Sequence, residues 1–305
     1  MVSESFTAFV DQVVGVMQPG TPGSNPILQA KAGIAIRKMH EAIRDSGLTE
    51  DELSHLLDFL CDVGRTDEWR VLTHLLGVDM HVKDLTHGGF DRRTIDNVEG
   101  PLYKPGAPVV GNPGKLAEDS EAGERLFLSG LVRDVATNKP VAGAWIDVWQ
   151  SDRTGAYSQD DPKLPEWALR GRLQTDRNGR YAFETIIPGG YEQGLAKDSP
   201  CGDMLVKLGR HRMRPGHIHF KVEADGFHPL ITLTYFPGDP YLDSDSVFSV
   251  RPQLILDLEE HGAADELRKR KLSAPFFTAN FDFVLDRKVE TSKPTAGSAR
   301  ELVGH

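Results

Sequence analysis

Two histidines one residue apart, His217 and His219, sit in the densest cluster of chemistry-bearing residues, GRHRMRPGHIHF (209–220). On a β-strand alternate side chains leave by the same face, so both imidazoles can reach one ion. Neutral imidazole is a ligand for iron, copper, zinc and nickel. An H-x-H pair is also compatible with two unrelated histidines on a half-exposed strand, so further donors have to be found. Cys61 and Cys201 lack CxxC spacing and suggest neither a thiolate site nor a disulfide framework. Asp147 alternates with Trp145 and Trp149, and Asp176 opens the turn DRNG, so both read as structural. Tyrosine is scarce, with six residues, and two stand in unusual loops: Tyr157 in DRTGAYSQDD and Tyr191 in IIPGGYEQG. Taken singly, each reads as a packing residue with a bonded hydroxyl.

Taken in order, GAYS, PGGY and RPGHIH resemble the intradiol ring-cleavage dioxygenases, whose iron(III) is held by two tyrosinates and two histidines. The surrounding segments VEGPLY (98–103), PVAGAWIDVWQSDRTGAYS (140–158) and RGRLQTDRNGRYAFETIIPGGY (170–191) carry the same resemblance, which covers 93–285. It extends more weakly through the N-terminal region, as in the catechol and hydroxyquinol branch. The resemblance implies one Fe(III) per subunit, with Tyr157, Tyr191, His217 and His219 as ligands. That set suits a hard, highly charged ion. A metal lowers the pKa of a bound hydroxyl sharply, so a phenol with an ordinary pKa of about 10 can bind as phenolate. By the same resemblance a catechol-type diol chelates the iron, displaces Tyr191 and loses a proton to it. O2 then attacks the substrate, and the ring opens between its hydroxylated carbons to a cis,cis-muconate. Arg214 is implied to stabilise carbanion character on the ring as a preorganised charge. From its residue type alone, a structural ion pair or a solvated loop arginine fits equally.

The resemblance places the pocket walls at Val71, His74, Val98 and Pro101, with Arg214 and Leu233 also facing the substrate. His74 reads either as a surface or satisfied core histidine, or as a polar group recognising a ring substituent such as a third hydroxyl. VEGPLY is closer to the catechol and chlorocatechol branches, so catechol is the expected substrate, with hydroxyquinol and chlorocatechol as alternatives. There are departures. Gly216 stands where many relatives have Ala, a conservative change. Leu233 replaces a Gln, removing a polar group beside the site. The loop from Tyr191 to Arg214 is slightly longer than is common.

These residues must be positioned by folded elements. Segments 25–46, 51–63 and 66–83 place apolar residues at helical spacing, with Thr49 and Glu52 as a capping box and Gly77 as a weak point. Beyond 88, Gly, Pro, Asp and Asn punctuate β-prone runs at 125–133, 144–150, 180–187, 217–222, 230–236 and 276–285. The expected fold is mainly β: an antiparallel β-sandwich catalytic domain (89–288), an α-helical N-terminal dimerisation domain (1–88) and a polar C-terminal tail (289–305). Relatives lead us to expect a homodimer through the helices, with a phospholipid bound at the interface. A non-catalytic β-sandwich binding module is the rival of another class. It would leave the two loop tyrosines and the H-x-H strand unexplained.

Composition narrows the partners. A formal net charge of −10 disfavours nucleic acid. The N-terminus is acidic where a signal peptide is basic, and no apolar run is long enough to span a bilayer. A reduced cytoplasmic setting, with no membrane insertion, is the expectation.

Overall fold

The computed structural model describes residues 4–17, 20, 22–86 and 93–288. Contacts divide the chain into two compact units, Met1–Thr66 and Asp67–His305. The first unit holds α1 (Glu4–Gly15), α2 (Pro26–Ser46) and α3 (Glu50–Arg65). α2 starts where its sequence says it should. Asn25 Oδ1 accepts the Leu28 N–H at 3.1 Å, and Pro26 supplies a first-turn φ without losing a needed donor. It ends at Gly47 in the left-handed region, whose N–H returns to the carbonyls of Ile43 and Arg44. The Thr49–Glu52 capping box opens α3.

The second unit begins with α4 (Trp69–Leu75) and α5 (Val78–Thr86). The sequence pattern merges these into one helix over 66–83. The chain breaks instead at Gly77, φ 69°, where an added Cβ would press on the Phe248 ring at 3.2 Å. By contacts α4 and α5 group with the β-rich unit, not with α1–α3. The expected boundary near 88 and the tail 289–305 lie outside the described residues.

The β elements follow as β1 (Gly114–Lys115), β2 (Arg125–Asp134), β3 (Trp145–Gln150), β4 (Arg170–Gln174), β5 (Arg180–Ile186) and β6 (Tyr191–Glu192). Then come α6 (Pro200–Lys207), β7 (Met213–Arg214), β8 (His217–Glu223), β9 (Leu230–Tyr235), β10 (Glu259–His261), α7 (Ala264–Arg270), β11 (Phe276–Asn280) and β12 (Phe283–Leu285). One sheet, β4-β3-β8-β9, is antiparallel throughout. The other, β1-β5-β2-β11-β10 with β12 also beside β2, is mixed: β1 runs parallel to β5, and β11 and β12 run parallel to β2. The predicted strand 276–285 is thus two strands. They are split at Asp282, whose carboxylate takes the Leu131 N–H at 2.8 Å in place of a ladder carbonyl.

Alternation along β2 buries Leu126, Leu128 and Val132 against Phe183 of β5 and Phe283 of β12, facing Ile146, Val148, Ile218, Phe220 and Val222 of the other sheet. Phe220 lies with its ring 6.2 Å from Phe183 and 5.1 Å from Phe283. Burying such a side chain contributes about 1.5–3 kcal/mol. Because β8 sends Ile218, Phe220 and Val222 into this core, its period of two sends His217 and His219 to the opposite face. Both histidines are nevertheless fully buried, so that face too is covered. No helix among the described residues is long and apolar enough to cross a membrane.

Candidate metal centre

The two imidazoles meet through their Nε2 atoms, 3.0 Å apart. His217 is oriented by its other nitrogen: Nδ1–H donates to the Pro215 carbonyl at 2.7 Å, which leaves the Nε2 lone pair facing the site. His219 is oriented by stacking. Its ring lies 4.6 Å from that of Trp149, directly opposite on β3, at an interplanar angle of 9°. Burial holds both imidazoles neutral, with their pKa values lowered. Arg214 adds to this at His217, and His217 and Arg214 add to it at His219.

Tyr191 enters from the two-stranded ribbon β6–β7, in which it pairs with Arg214. The long excursion between them contains α6, whose N-terminus is held by Glu68: Oε2 accepts from Ser199 Oγ at 2.7 Å and from the Cys201 N–H at 3.1 Å. Tyr191 Oη stands 3.4 Å from His217 Nε2. Tyr157 packs edge-on against Tyr191, with ring centroids 5.4 Å apart. Its hydroxyl is buried with no hydrogen-bond partner among the described residues, and its pKa is pushed well up by burial and then by Tyr191.

The three loops carrying these residues touch backbone to backbone. A Cβ on Gly189 would meet the Arg153 carbonyl oxygen at 2.3 Å, and one on Gly216 would meet that of Pro188 at 2.3 Å. The expectation that Gly216 is interchangeable with Ala therefore fails in this chain: the added methyl would force the PGGY loop, and Tyr191 with it, to move.

Two donors, each bound at about 2.1 Å to one ion at a right angle, stand about 3.0 Å apart, taking imidazole on zinc as the scale. The spacings of 3.0 Å between the imidazoles and 3.4 Å to Tyr191 Oη match that scale. The buried phenol at Tyr157, whose oxygen has no hydrogen-bond partner among the described residues, adds a second oxygen. Among the described residues no group of three His, Cys, Asp or Glu could hold a metal. Any ion here would need the tyrosine oxygens, and hard phenolate oxygen beside imidazole suits a ferric ion.

Arg214 is buried, in an ion pair with Asp245 at 3.1 Å, and its Nη1 also reaches Tyr191 Oη at 3.4 Å and His217 Nε2 at 3.3 Å. The structural and the site-facing readings of this residue hold together. Burial opposes its charge, but Asp245 and the phenols of Tyr191 and Tyr235 outweigh that and keep it cationic.

Comparison with known proteins bears on what such a centre does. A family model described as "Dioxygenase" matches residues 98–287, and one described as "Catechol dioxygenase N terminus" matches 28–89. The hydroxyquinol 1,2-dioxygenase of Rhizobium sp. is 34% identical over 272 residues, covering 86% of this chain and 90% of that protein. This chain belongs to the intradiol ring-cleaving dioxygenases. The dioxygenase is also 33% identical to the catechol 1,2-dioxygenase of Acinetobacter baylyi, covering 88% of each chain. Its fold matches the solved hydroxyquinol 1,2-dioxygenase of Pseudomonas putida DLL-E4 with a TM-score of 0.80 and 32% identity, covering 93% of this chain and 99% of that one.

Around the centre of the dioxygenase, the expected wall residues fall at different depths. The 98–101 segment reaches the imidazoles: an added Cβ at Gly100 would lie 3.7 Å from His219 Cε1. Val98 is buried beside Asn97, whereas Pro101 is exposed. Leu233 is fully buried, directly opposite His219 on β9, packed with Ile95, Tyr235 and Leu254. Its side is therefore apolar. Val71 is half-buried on α4, whose buried face is Leu72 and Leu75. His74, on the same helix, is half-buried with Nε2 3.5 Å from Asp79. Burial lowers its pKa; Asp79 opposes that and Arg214 adds to it. The sequence reading missed Trp149 as the plate behind His219, and also Asp245, Ser249 and Asn97. Trp149 was findable, since it shares a β3 face with Asp147. The others sit in SDSVFS and TIDNV, which carry no spacing signal.

Proposed function

We propose that this dioxygenase cleaves catechol between its two hydroxylated carbons with O2 to give cis,cis-muconate, using one Fe(III) per subunit held by Tyr157, Tyr191, His217 and His219. The observation that carries this is the convergence of Tyr191 Oη and the two Nε2 atoms at 3.0–3.4 Å beside an orphaned Tyr157 hydroxyl. Bound ferric iron would supply a Lewis acid that favours the diol dianion and draws electron density from its ring.

The chain's own residues do the rest. In the phenolate form that a ligand tyrosine would have, Tyr191 Oη would be the protein oxygen to take a hydroxyl proton from the diol. Arg214 Nη1, 3.4 Å from that oxygen, holds positive charge where the ring becomes electron-rich. Pro215 O keeps the His217 proton on Nδ1. Trp149, Leu233 and the Gly100 backbone close the far side of His219 and exclude water.

Hydroxyquinol is the second reading. It is supported by half-buried His74 on α4, with Nε2 3.5 Å from Asp79, as a polar partner for a third hydroxyl. Parallel O2 uptake with catechol, 4-chlorocatechol, hydroxyquinol and protocatechuate, with product spectra, separates these. Fastest turnover of catechol to cis,cis-muconate by a red-brown protein is expected. A colourless protein with full metal occupancy, or no diol-dependent uptake, would remove the assignment. We also propose a homodimer through the N-terminal helices, supported by the exposed Ile27, Leu28, Ile34 and Leu57 of α2 and α3, with phospholipid between the copies. Light scattering at the monomer mass, or lipid-free extracts by mass spectrometry, would argue against those two parts respectively.

A further inference from the structure

Of the three nitrogens of the Arg214 guanidinium, two are used away from the site. Nε donates to Asp245 Oδ1 at 3.1 Å, and Nη2 donates to Ser249 Oγ at 2.7 Å. Only Nη1 turns toward Tyr191 Oη and His217 Nε2. The guanidinium is planar, so holding two nitrogens fixes the third.

Ser249 is fully buried and stands at the hub of this arrangement. Its hydroxyl has one proton and two lone pairs. Asp245 Oδ2 can only accept, and Arg214 Nη2 can only donate. The remaining lone pair therefore takes the Tyr235 O–H, 2.8 Å away. Every valence of the hydroxyl is used, and nothing is left to rotate. Tyr235 sits directly opposite His217 across β8 and β9. Asp245 is locked in turn by the Ser249 N–H at 3.0 Å, and its carboxyl is held ionised, Arg214 and Ser249 outweighing burial. The Ser249 carbonyl accepts Asn97 Nδ2 at 2.8 Å, and Asn97 Oδ1 takes the Val98 N–H at 2.8 Å. One short turn thus connects the site cation, the strand beside His217 and the 98–101 wall.

We propose that Ser249, with Asp245, is a positioning residue for ring cleavage: it sets the direction of Arg214 Nη1 against Tyr191 and His217. This rests on the reading of Arg214 as the site cation, and the test separates the two.

The iron-loaded wild type, Ser249→Ala, Arg214→Gln and the double variant are compared with catechol. Ser249→Ala is expected to lower kcat about tenfold with KM nearly unchanged, and the double variant to be no slower than Arg214→Gln alone, since contacting residues couple. A second readout is the tyrosinate-to-iron absorption band, which Ser249→Ala is expected to shift in the wild-type background but not in the Arg214→Gln background. Ser249→Cys, which keeps the size but weakens the accepted hydrogen bonds, enters the same cycle if the alanine variant does not fold. Losses that multiply across the cycle, or an unmoved band and kcat in Ser249→Ala, would overturn the proposal. A wild type with neither colour nor diol-dependent O2 uptake would instead overturn the underlying reading, and the proposal with it.

Discussion

Replacing His217 by Gln is expected to leave a folded protein that has lost its metal, its visible colour and its diol-dependent O2 uptake. His217 Nε2 is where the site converges: His219 Nε2 at 3.0 Å, Arg214 Nη1 at 3.3 Å and Tyr191 Oη at 3.4 Å all approach it. The ring is also oriented through Nδ1 by Pro215 O, so its lone pair has one direction. Removing an outer partner of a metal-binding histidine costs about 10–100-fold in metal affinity or activity. Losing the histidine itself should exceed that range. Gln preserves most of the volume, which limits the cavity term in a fully buried position. Metal content by elemental analysis, the visible spectrum and O2 uptake check the outcome, with circular dichroism as the control for folding. Full metal occupancy with an unchanged spectrum would take His217 out of the ligand set.

Arg214→Gln is expected to lower kcat with catechol by about 10²–10³-fold, the usual loss on removing one preorganised donor, while metal content stays near that of the wild type. The guanidinium is not a metal donor, so its removal should separate chemistry from metal retention, which His217→Gln does not. The same substitution strands Asp245, whose side chain is 2% exposed and has Arg214 as its ion-pair partner. Breaking a buried pair from one side costs about 3–5 kcal/mol, so a lower denaturation midpoint is expected as well. kcat must therefore be measured where the variant is still folded. A variant that keeps wild-type kcat while losing stability would reduce Arg214 to a structural cation.

Some of this was legible in the residues and some was not. The H-x-H spacing on a β-prone run announces two imidazoles on one face, because a period of two is a local property of extended chain. The capping box at Thr49 and the start of α2 at Asn25-Pro26 are equally local. The loop tyrosines could be read only through resemblance, since nothing local says that residues 157 and 191 pack edge to edge. The split at Gly77 was legible as a weakness but not as a break. The break is made by the left-handed backbone of Gly77, at a site where Phe248, distant in the chain, leaves little room for a side chain. Likewise the run 276–285 looks like one strand until Asp282 substitutes its carboxylate for a ladder carbonyl. Asp245 and Ser249 lay beyond reach because they sit in a turn and their role is defined by Arg214, some thirty residues away on β7.

Strand β8 interleaves two tasks, with Ile218, Phe220 and Val222 filling the sandwich and the histidines between them facing outward. Heredity therefore treats the halves of this strand unequally. An insertion or deletion of one codon within it would swap the two sets and wreck fold and chemistry at once, so selection against such one-residue slips acts through folding itself. Single-codon exchanges at 217 or 219 leave the greasy half untouched. A descendant that exchanged only these histidines would accordingly keep its scaffold.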